Sequence, residues 1–508
     1  MAGVGAPASL DLLITNVRVV RPNREAVERL DLGVKDGRFA RIAPRIPPGD
    51  AAQVHDAQGL LGFPGLVDAH THVGIYAPLA EDAVTESKAA ASGGVTTMLT
   101  YIRTGQYYLE RGGPYADFFP DVLARSAGRY WVDYGYHLAP IESGHLGEME
   151  RLATERGVPS FKIFMFYGGY GLHGQTDWTA QRRFLMLGEQ DRYDFAHFEF
   201  VMRAASRIRE RHPGLAEHVS VSLHCEVADI LNAYTRLVQR DASLTGLRAY
   251  SAARPPHSEG LGVWIAGYLA HETGCRNVNL LHLSSRKALE AALGLSAVFP
   301  ELAVRREITV GHLLLDYDTA AGAYAKVNPP IRSRADVEFL WQAVLAGQVD
   351  WVVSDHACCA RELKVAGDRP ADVWPAKAGF GGTEYLLAGV FSEGSRRDLP
   401  YHRMAELTSG NPARRFGLGT KGDIAVGYDA DLALLDPTRT FTVRAAESES
   451  AQGYTPFEGH ELTGQVRATF LGGQLVYDQG KIVGPPRGRY LKRPLPVPPD
   501  GIDERSLR

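Results

Sequence analysis

Hydrophobic and polar positions along this chain fall into two alternating patterns. Five apolar runs of β type each close on a polar residue. They are Gly62-Phe-Pro-Gly-Leu-Val-Asp-Ala-His70-Thr-His72, Ser160-Phe-Lys162-Ile-Phe-Met-Phe-Tyr167, Val219-Ser-Val-Ser-Leu-His224, Asn277-Val-Asn-Leu-Leu-His282 and Val349-Asp-Trp-Val-Val-Ser-Asp355-His356. Between them, residues 81–92, 198–211, 262–273 and 336–346 carry apolar positions at helical spacing. Strand and helix alternating over about 350 residues predict a parallel α/β structure of the (β/α)8 TIM-like barrel type, whose reactive residues collect at the carboxyl ends of the strands. All five polar signals fall at that end.

The chemistry of those signals is consistent. His70 and His72 are one residue apart, and side chains on a strand alternate with period two, so both imidazoles project from one face and can chelate one cation. Singly, each signal has a plainer reading: His224 and His282 as hydrogen-bonded core residues, Asp355 as a helix N-cap, Lys162 as a snorkelling surface residue. Jointly those readings require one accident to recur at five strand ends. Lys162 is the hardest to explain away, because burial within Phe-Lys-Ile-Phe-Met-Phe drives an amine toward its neutral form. A neutral amine can add carbon dioxide and become a carbamate, whose two oxygens can bridge two cations.

The ordered set His70-x-His72, Lys162, His224, His282, Asp355 resembles the cyclic amidohydrolases, the group of dihydropyrimidinases, hydantoinases, allantoinases and dihydroorotases. Phe161-Lys-Ile-Phe-Met-Phe-Tyr167, Arg254-Pro-Pro-x-x-Glu259 and Gly488-Arg-Tyr-Leu-Lys-Arg-Pro494 lean toward the hydantoinase and dihydropyrimidinase branch, whereas Lys326-Val-Asn-Pro-Pro is similar to allantoinases. The resemblance implies a centre of two divalent ions. Zinc is the first expectation, with manganese, cobalt or iron as alternatives. His70, His72 and Asp355 would hold one ion, His224 and His282 the other, with N6-carboxylated Lys162 bridging them. The pair activates a water and polarises the carbonyl it attacks. Asp355 would carry the proton to the departing ring nitrogen, Tyr167 would donate to the developing oxyanion, and the backbone at Asn328 would contact an imide edge of the substrate. The expected function is hydrolysis of a cyclic amide or imide C–N bond in a small neutral substrate.

Departures from the branch pattern alter the pocket. Val73-Gly-Ile75 follows the histidine pair without the arginine that dihydroorotases use, which argues against dihydroorotate. Asn328-Pro-Pro-Ile-Arg332, Asp355-His-Ala-Cys-Cys and Ala378-Gly-Phe-Gly-Gly-Thr-Glu384 replace the segments usual in hydantoinases, so neither dihydrouracil nor hydantoin is assumed. Tyr167-Gly-Gly-Tyr-Gly-Leu-His-Gly174 opens a segment running to about residue 196. It ends in no Gly-Lys-Ser/Thr and is read as a substrate lid carrying Trp178, Arg182, Arg183 and Phe184, with an oligomer contact as the alternative. Arg103-Thr-Gly-Gln-Tyr-Tyr108 lies within reach of the substrate without an evident role.

Four pieces are expected along the chain. Residues 1–61 read as short strands of a small β-sandwich, 62–418 as the barrel, 419–484 as the rest of the sandwich, and 485–508 as an extended, proline-rich tail. The branch resemblance suggests that this tail crosses to a neighbouring subunit of a homo-oligomer, a dimer or tetramer. With 508 residues, 45% hydrophobic content and a net charge of -4, the chain can bury a large core and offers no electrostatic footprint for nucleic acid or an anionic membrane. Its four cysteines lack C-x-x-C spacing, and its start lacks the charged and apolar regions of a signal peptide, so a soluble cytoplasmic protein is expected. Other readings remain open. These are an allantoinase-like enzyme, an acyclic amide or imide hydrolase, a ring-closing biosynthetic enzyme, a mononuclear deaminase of the wider superfamily and a non-catalytic scaffold; the filled ligand positions argue against the scaffold, and Lys162 with Tyr167 against the deaminase.

Overall fold

Eight strands run parallel around a closed ring. In chain order they are β1 (Leu66–Thr71), β2 (Val95–Ile102), β3 (Asp133–Leu138), β4 (Ser160–Phe164), β5 (Ser220–His224), β6 (Asn277–Leu280), β7 (Ala303–Thr309) and β8 (Trp351–Val353). The computed structural model describes residues 9–174, 178–365 and 372–498. Each strand pairs with the next, and a bridge between Thr71 and His356, with the His72 N–H donating to the His356 carbonyl at 2.7 Å, brings β8 back to β1. Seven of the eight strands are buried at every residue. Burial on both faces is why they read as continuous apolar runs rather than alternating ones.

Helices cover the outside, and their starts follow local chemistry. Phe195–Arg211 begins where the Asp194 carboxylate accepts from the His197 N–H, and Pro256–Thr273 begins on a proline whose missing N–H is harmless at that position. Both start earlier than their apolar periodicity suggests. Strand β4 ends sooner than its apolar run, because the chain turns at Met165–Gly168. That turn aims Tyr167 back toward the barrel mouth.

Both chain ends meet beside the barrel. Leu10–Arg21, Arg24–Lys35, Arg38–Ala43, Ala51–Asp56 and Leu61–Pro64 join Leu432–Thr442, Glu461–Leu471, Gln474–Asp478 and Lys481–Ile482 in one nine-stranded hydrogen-bonded sheet. Leu61–Pro64 supplies the junction through antiparallel pairing with Leu432–Thr442. The sheet encloses its own apolar cluster, including Val17, Leu32, Phe39, Leu432, Leu434 and Phe470.

Over its described part, to residue 498, the tail lies on this chain's own barrel. Leu491 N–H donates to the Tyr134 carbonyl at 2.8 Å, Arg493 N–H to Gly157 at 3.1 Å and Leu495 N–H to Gly417 at 2.7 Å. Arg493 is buried at the amino end of the strands, its guanidinium reaching the Tyr136 and Phe416 carbonyls and the Ser160 hydroxyl. Buried carbonyls at the ends of short strands need donors, and the arginine supplies them. Residues 499–508 lie outside the described residues, as does the start of the chain through residue 8.

A buried charge cluster fastens sheet, barrel and tail. Lys421 Nζ sits 2.8 Å from Asp133, 3.1 Å from Asp429 and 2.6 Å from Asp431, and Arg489 reaches Asp429 at 2.9 Å. Burial works against the Lys421 charge, and the three carboxylates overcome it, holding the ammonium above its ordinary range. Lys421→Met would leave these carboxylates largely uncompensated, so it is expected to destabilise the protein by about 3–5 kcal/mol. A thermal melt reads this directly, and an unchanged midpoint would refute the clamp. Among the described residues, no helix is long and apolar enough to cross a membrane.

Candidate metal centre

The five strand-end signals converge at the barrel mouth. His70 Nε2 lies 3.3 Å from His72 Nε2, and Asp355 Oδ1 lies 3.1 Å from the first and 3.4 Å from the second. Lys162 Nζ lies 2.9 Å from His70 Nε2 and 3.5 Å from His72 Nε2. His224 and His282 face each other with ring centroids 4.3 Å apart, and His282 is 5.4 Å from His70. His282 and Asp355 adopt left-handed backbone, φ 38° and 54°, a strain commonly stored at functional positions.

Partners behind the ligands fix which nitrogen faces inward. Glu307 on β7 accepts from the Trp351 indole N–H at 2.9 Å and the His282 N–H at 3.1 Å, and lies 2.7 Å from His70 Nδ1, which as a carboxylate it would hold in the protonated form. That leaves the His70 Nε2 lone pair pointing at the cluster. Likewise His72 Nδ1 meets the Tyr108 hydroxyl at 2.8 Å. His224 Nε2 meets the Glu226 carboxylate at 2.6 Å, leaving its Nδ1 for a cation. Burial would raise Glu226, yet the Arg254 guanidinium and His224 beside it bring it down to about 2. It is therefore a firm acceptor.

The residues fit metal ions on three observations. Two unprotonated ring nitrogens 3.3 Å apart repel unless a cation lies between them, and ligands about 2.0–2.1 Å from one tetrahedral zinc are separated by about that distance. His282 Nδ1 is buried without a hydrogen-bond partner. Burial, with the Lys162 charge next, keeps His70 and His72 well below the ordinary histidine range, as neutral ligands. Burial also pulls the Lys162 amine down, against the Asp355 and Glu307 carboxylates.

Comparison with known proteins agrees with this geometry. An amidohydrolase family model matches residues 388–477. The chain is 34% identical over 489 residues to an allantoinase of Rubrobacter xylanophilus, covering 96% of this chain and 98% of that protein. It is 32% identical to an allantoinase of Solibacter usitatus, over 91% of this chain and 93% of that one. The chain is a cyclic amidohydrolase. Its fold matches the crystal structure of a dihydropyrimidinase from Brevibacillus agri with a TM-score of 0.81 at 25% identity, covering 96% of this chain and 99% of that chain. An L-hydantoinase from Arthrobacter aurescens gives 0.81 at 25% identity, over 95% and 99%.

Around the centre, this amidohydrolase builds a pocket from Ile75, Phe164, Phe166, Tyr167, Leu172 and Val327. Asn328 borders it, but its side chain is committed elsewhere: Oδ1 accepts from the Tyr250 hydroxyl at 2.6 Å and Nδ2 donates to the Leu172 carbonyl at 2.8 Å. Its backbone stays open to a ligand. Helix Trp178–Leu185 lies over Tyr167, with the Phe184 ring 5.2 Å from the phenol ring and Gln181 Nε2 donating to the Tyr167 carbonyl. Arg182 instead turns to the Gly188 carbonyl, and Arg183 is exposed. Residues 175–177 and the Trp178 side chain lie outside the described residues.

Glu307, Tyr108, Glu226 and Arg254 carry no role in the sequence reading of this amidohydrolase. Glu226 had a usable signal, an acidic residue two positions beyond His224 just past the strand end. Glu307 had less, since Arg305 and Arg306 give β7 no apolar run to announce it.

Proposed function

We propose that this amidohydrolase opens a five-membered cyclic ureide, allantoin or a substituted hydantoin, by hydrolysing a ring amide C–N bond. The observation that carries this reading is the convergence of His70, His72, Lys162, His224, His282 and Asp355 on one point at the barrel mouth. His70, His72 and Asp355 would hold one divalent ion and His224 and His282 a second, with Lys162 as its carbamate serving both. Zinc is favoured by the imidazole-rich donor set. Bound there, the ions supply an activated water and a polarised carbonyl.

The chain's own residues do the rest. Asp355 turns Oδ1 toward the two imidazoles and keeps its other oxygen for the proton of the attacking water, which it then hands to the departing ring nitrogen. Tyr167 donates to the carbonyl oxygen as negative charge builds there. Phe164, Phe166 and the lid's Phe184 exclude water from the ring, and backbone at Asn328 offers polar contact to its imide edge. The chain's likeness to allantoinases over nearly its whole length favours allantoin among the candidate rings.

Metal-replete, bicarbonate-treated protein is expected to open allantoin or a 5-substituted hydantoin in a ring-opening assay; turnover of dihydrouracil alone would overturn the five-membered assignment. A chelator should abolish that turnover and an added divalent ion restore it. Silence on every ring with both metal sites filled would sink the hydrolase reading.

A further inference from the structure

The loop after β2 carries a cation that the hydrolytic reading leaves without a task. Arg103 is 1% exposed, yet no carboxylate pairs with it among the described residues. Its Nη1 donates to the carbonyls of Thr104 at 2.9 Å and Gln106 at 3.0 Å. The guanidinium carbon is enclosed by three aromatic rings, with centroids at 4.6 Å for Phe184, 5.3 Å for Tyr167 and 5.9 Å for Tyr108. A buried, unpaired cation is costly, and such groups persist where their charge is used.

The backbone around Arg103 is shaped for it. Gly105 has φ 103°, and a Cβ there would lie 2.9 Å from Arg103 Nη1 and 3.0 Å from the Phe184 and Leu185 carbonyl oxygens. Tyr107, Tyr108 and Glu110 also sit in left-handed backbone at φ 73°, 59° and 50°. So many strained residues in one short loop hold only where the surroundings enforce them. The Gln106 N–H ties this loop to the lid through the Phe184 carbonyl at 2.8 Å. Arg103 therefore stands behind Tyr167, sealed from water by the lid.

We propose that Arg103 is a positioning residue for ring opening: its guanidinium donates to the Tyr167 phenol oxygen, which turns the phenol's own proton toward the substrate carbonyl and backs that donor with a fixed positive charge. This rests on the reading of Tyr167 as the oxyanion donor. A phenol has one proton to give, so an oxygen already occupied by an arginine N–H presents its O–H outward. In a water-excluded site a cation behind a donor strengthens it when charge develops in front. Burial raises the Tyr167 phenol, and the Arg103 charge and hydrogen bond act against that rise.

The test compares wild type, R103M, R103K, Y167F and the R103M/Y167F double variant on allantoin and hydantoin, with metal content and melting temperature measured on each. R103M is expected to lower kcat about 10- to 100-fold, the usual range for a residue supporting a site at second hand. KM and metal content should stay near wild type, and R103K, which restores the charge, should recover part of the loss. The double variant is expected to be no slower than Y167F, because the arginine acts through the tyrosine. Wild-type kcat in R103M, or a double variant slowed by the product of the two single effects, would overturn the proposal. Unchanged kcat in Y167F would instead overturn the role given to the tyrosine, and this inference with it.

Discussion

Asp355→Asn is expected to abolish turnover, by at least about 10³-fold in kcat, while leaving the fold in place. Asparagine keeps the shape of aspartate and is among the few residues that tolerate the left-handed backbone found here, φ 54°, so the strand end should not move. The amide oxygen can still face His70 and His72 across the 3.1 and 3.4 Å that the carboxylate spans. What it lacks is an oxygen able to take a proton and return it. Steady-state kinetics beside a melting curve and a metal assay separate these effects. Near-wild-type turnover with full metal content would remove Asp355 from proton transfer.

Lys162→Ala is expected to lose at least one metal ion and, with it, activity. The argument is one of donor supply. His70, His72 and Asp355 form a set of three, whereas His224 and His282 are only two, and a structural or catalytic zinc takes at least three protein ligands. Lys162, with Nζ 2.9 Å from His70 Nε2 and lining the same pocket as His224 and His282, is the group left to serve both sets. A charged ammonium among histidine ligands would expel cations, and a neutral amine, to which burial drives it, can take up carbon dioxide and become an anion. Elemental analysis of protein prepared with and without bicarbonate checks this. Two ions per chain in the alanine variant would eliminate the bridging carbamate.

The candidate metal set was legible because its members interrupt apolar strands toward the same end, in the order His-x-His, Lys, His, His and Asp that the family resemblance leads one to expect. What supports the set was not. Glu307 orients two of the ligands, yet it lies in a strand whose preceding arginines are partly exposed, so no hydrophobic pattern marked the place. Arg103 stood out as a residue, but its function depends on the absence of an acidic neighbour and on three rings contributed from its own loop, β4's turn and the lid. Distances in space of that kind have no signature in spacing. The prolines of the tail foretold extended chain, whereas its destination depended on which carbonyls the barrel left unsatisfied.

That destination bears on how the protein comes into being. Leu61–Pro64 pairs with a strand made about 370 residues later, and the barrel's amino end is closed by Arg493, near the last described residue. During synthesis, then, the nascent barrel exists for most of its elongation with an open floor and an unpartnered sheet edge, until Leu432–Leu435 and Arg493 have been made. Truncation ahead of Arg493 would leave that floor open and is expected to make the protein aggregation-prone.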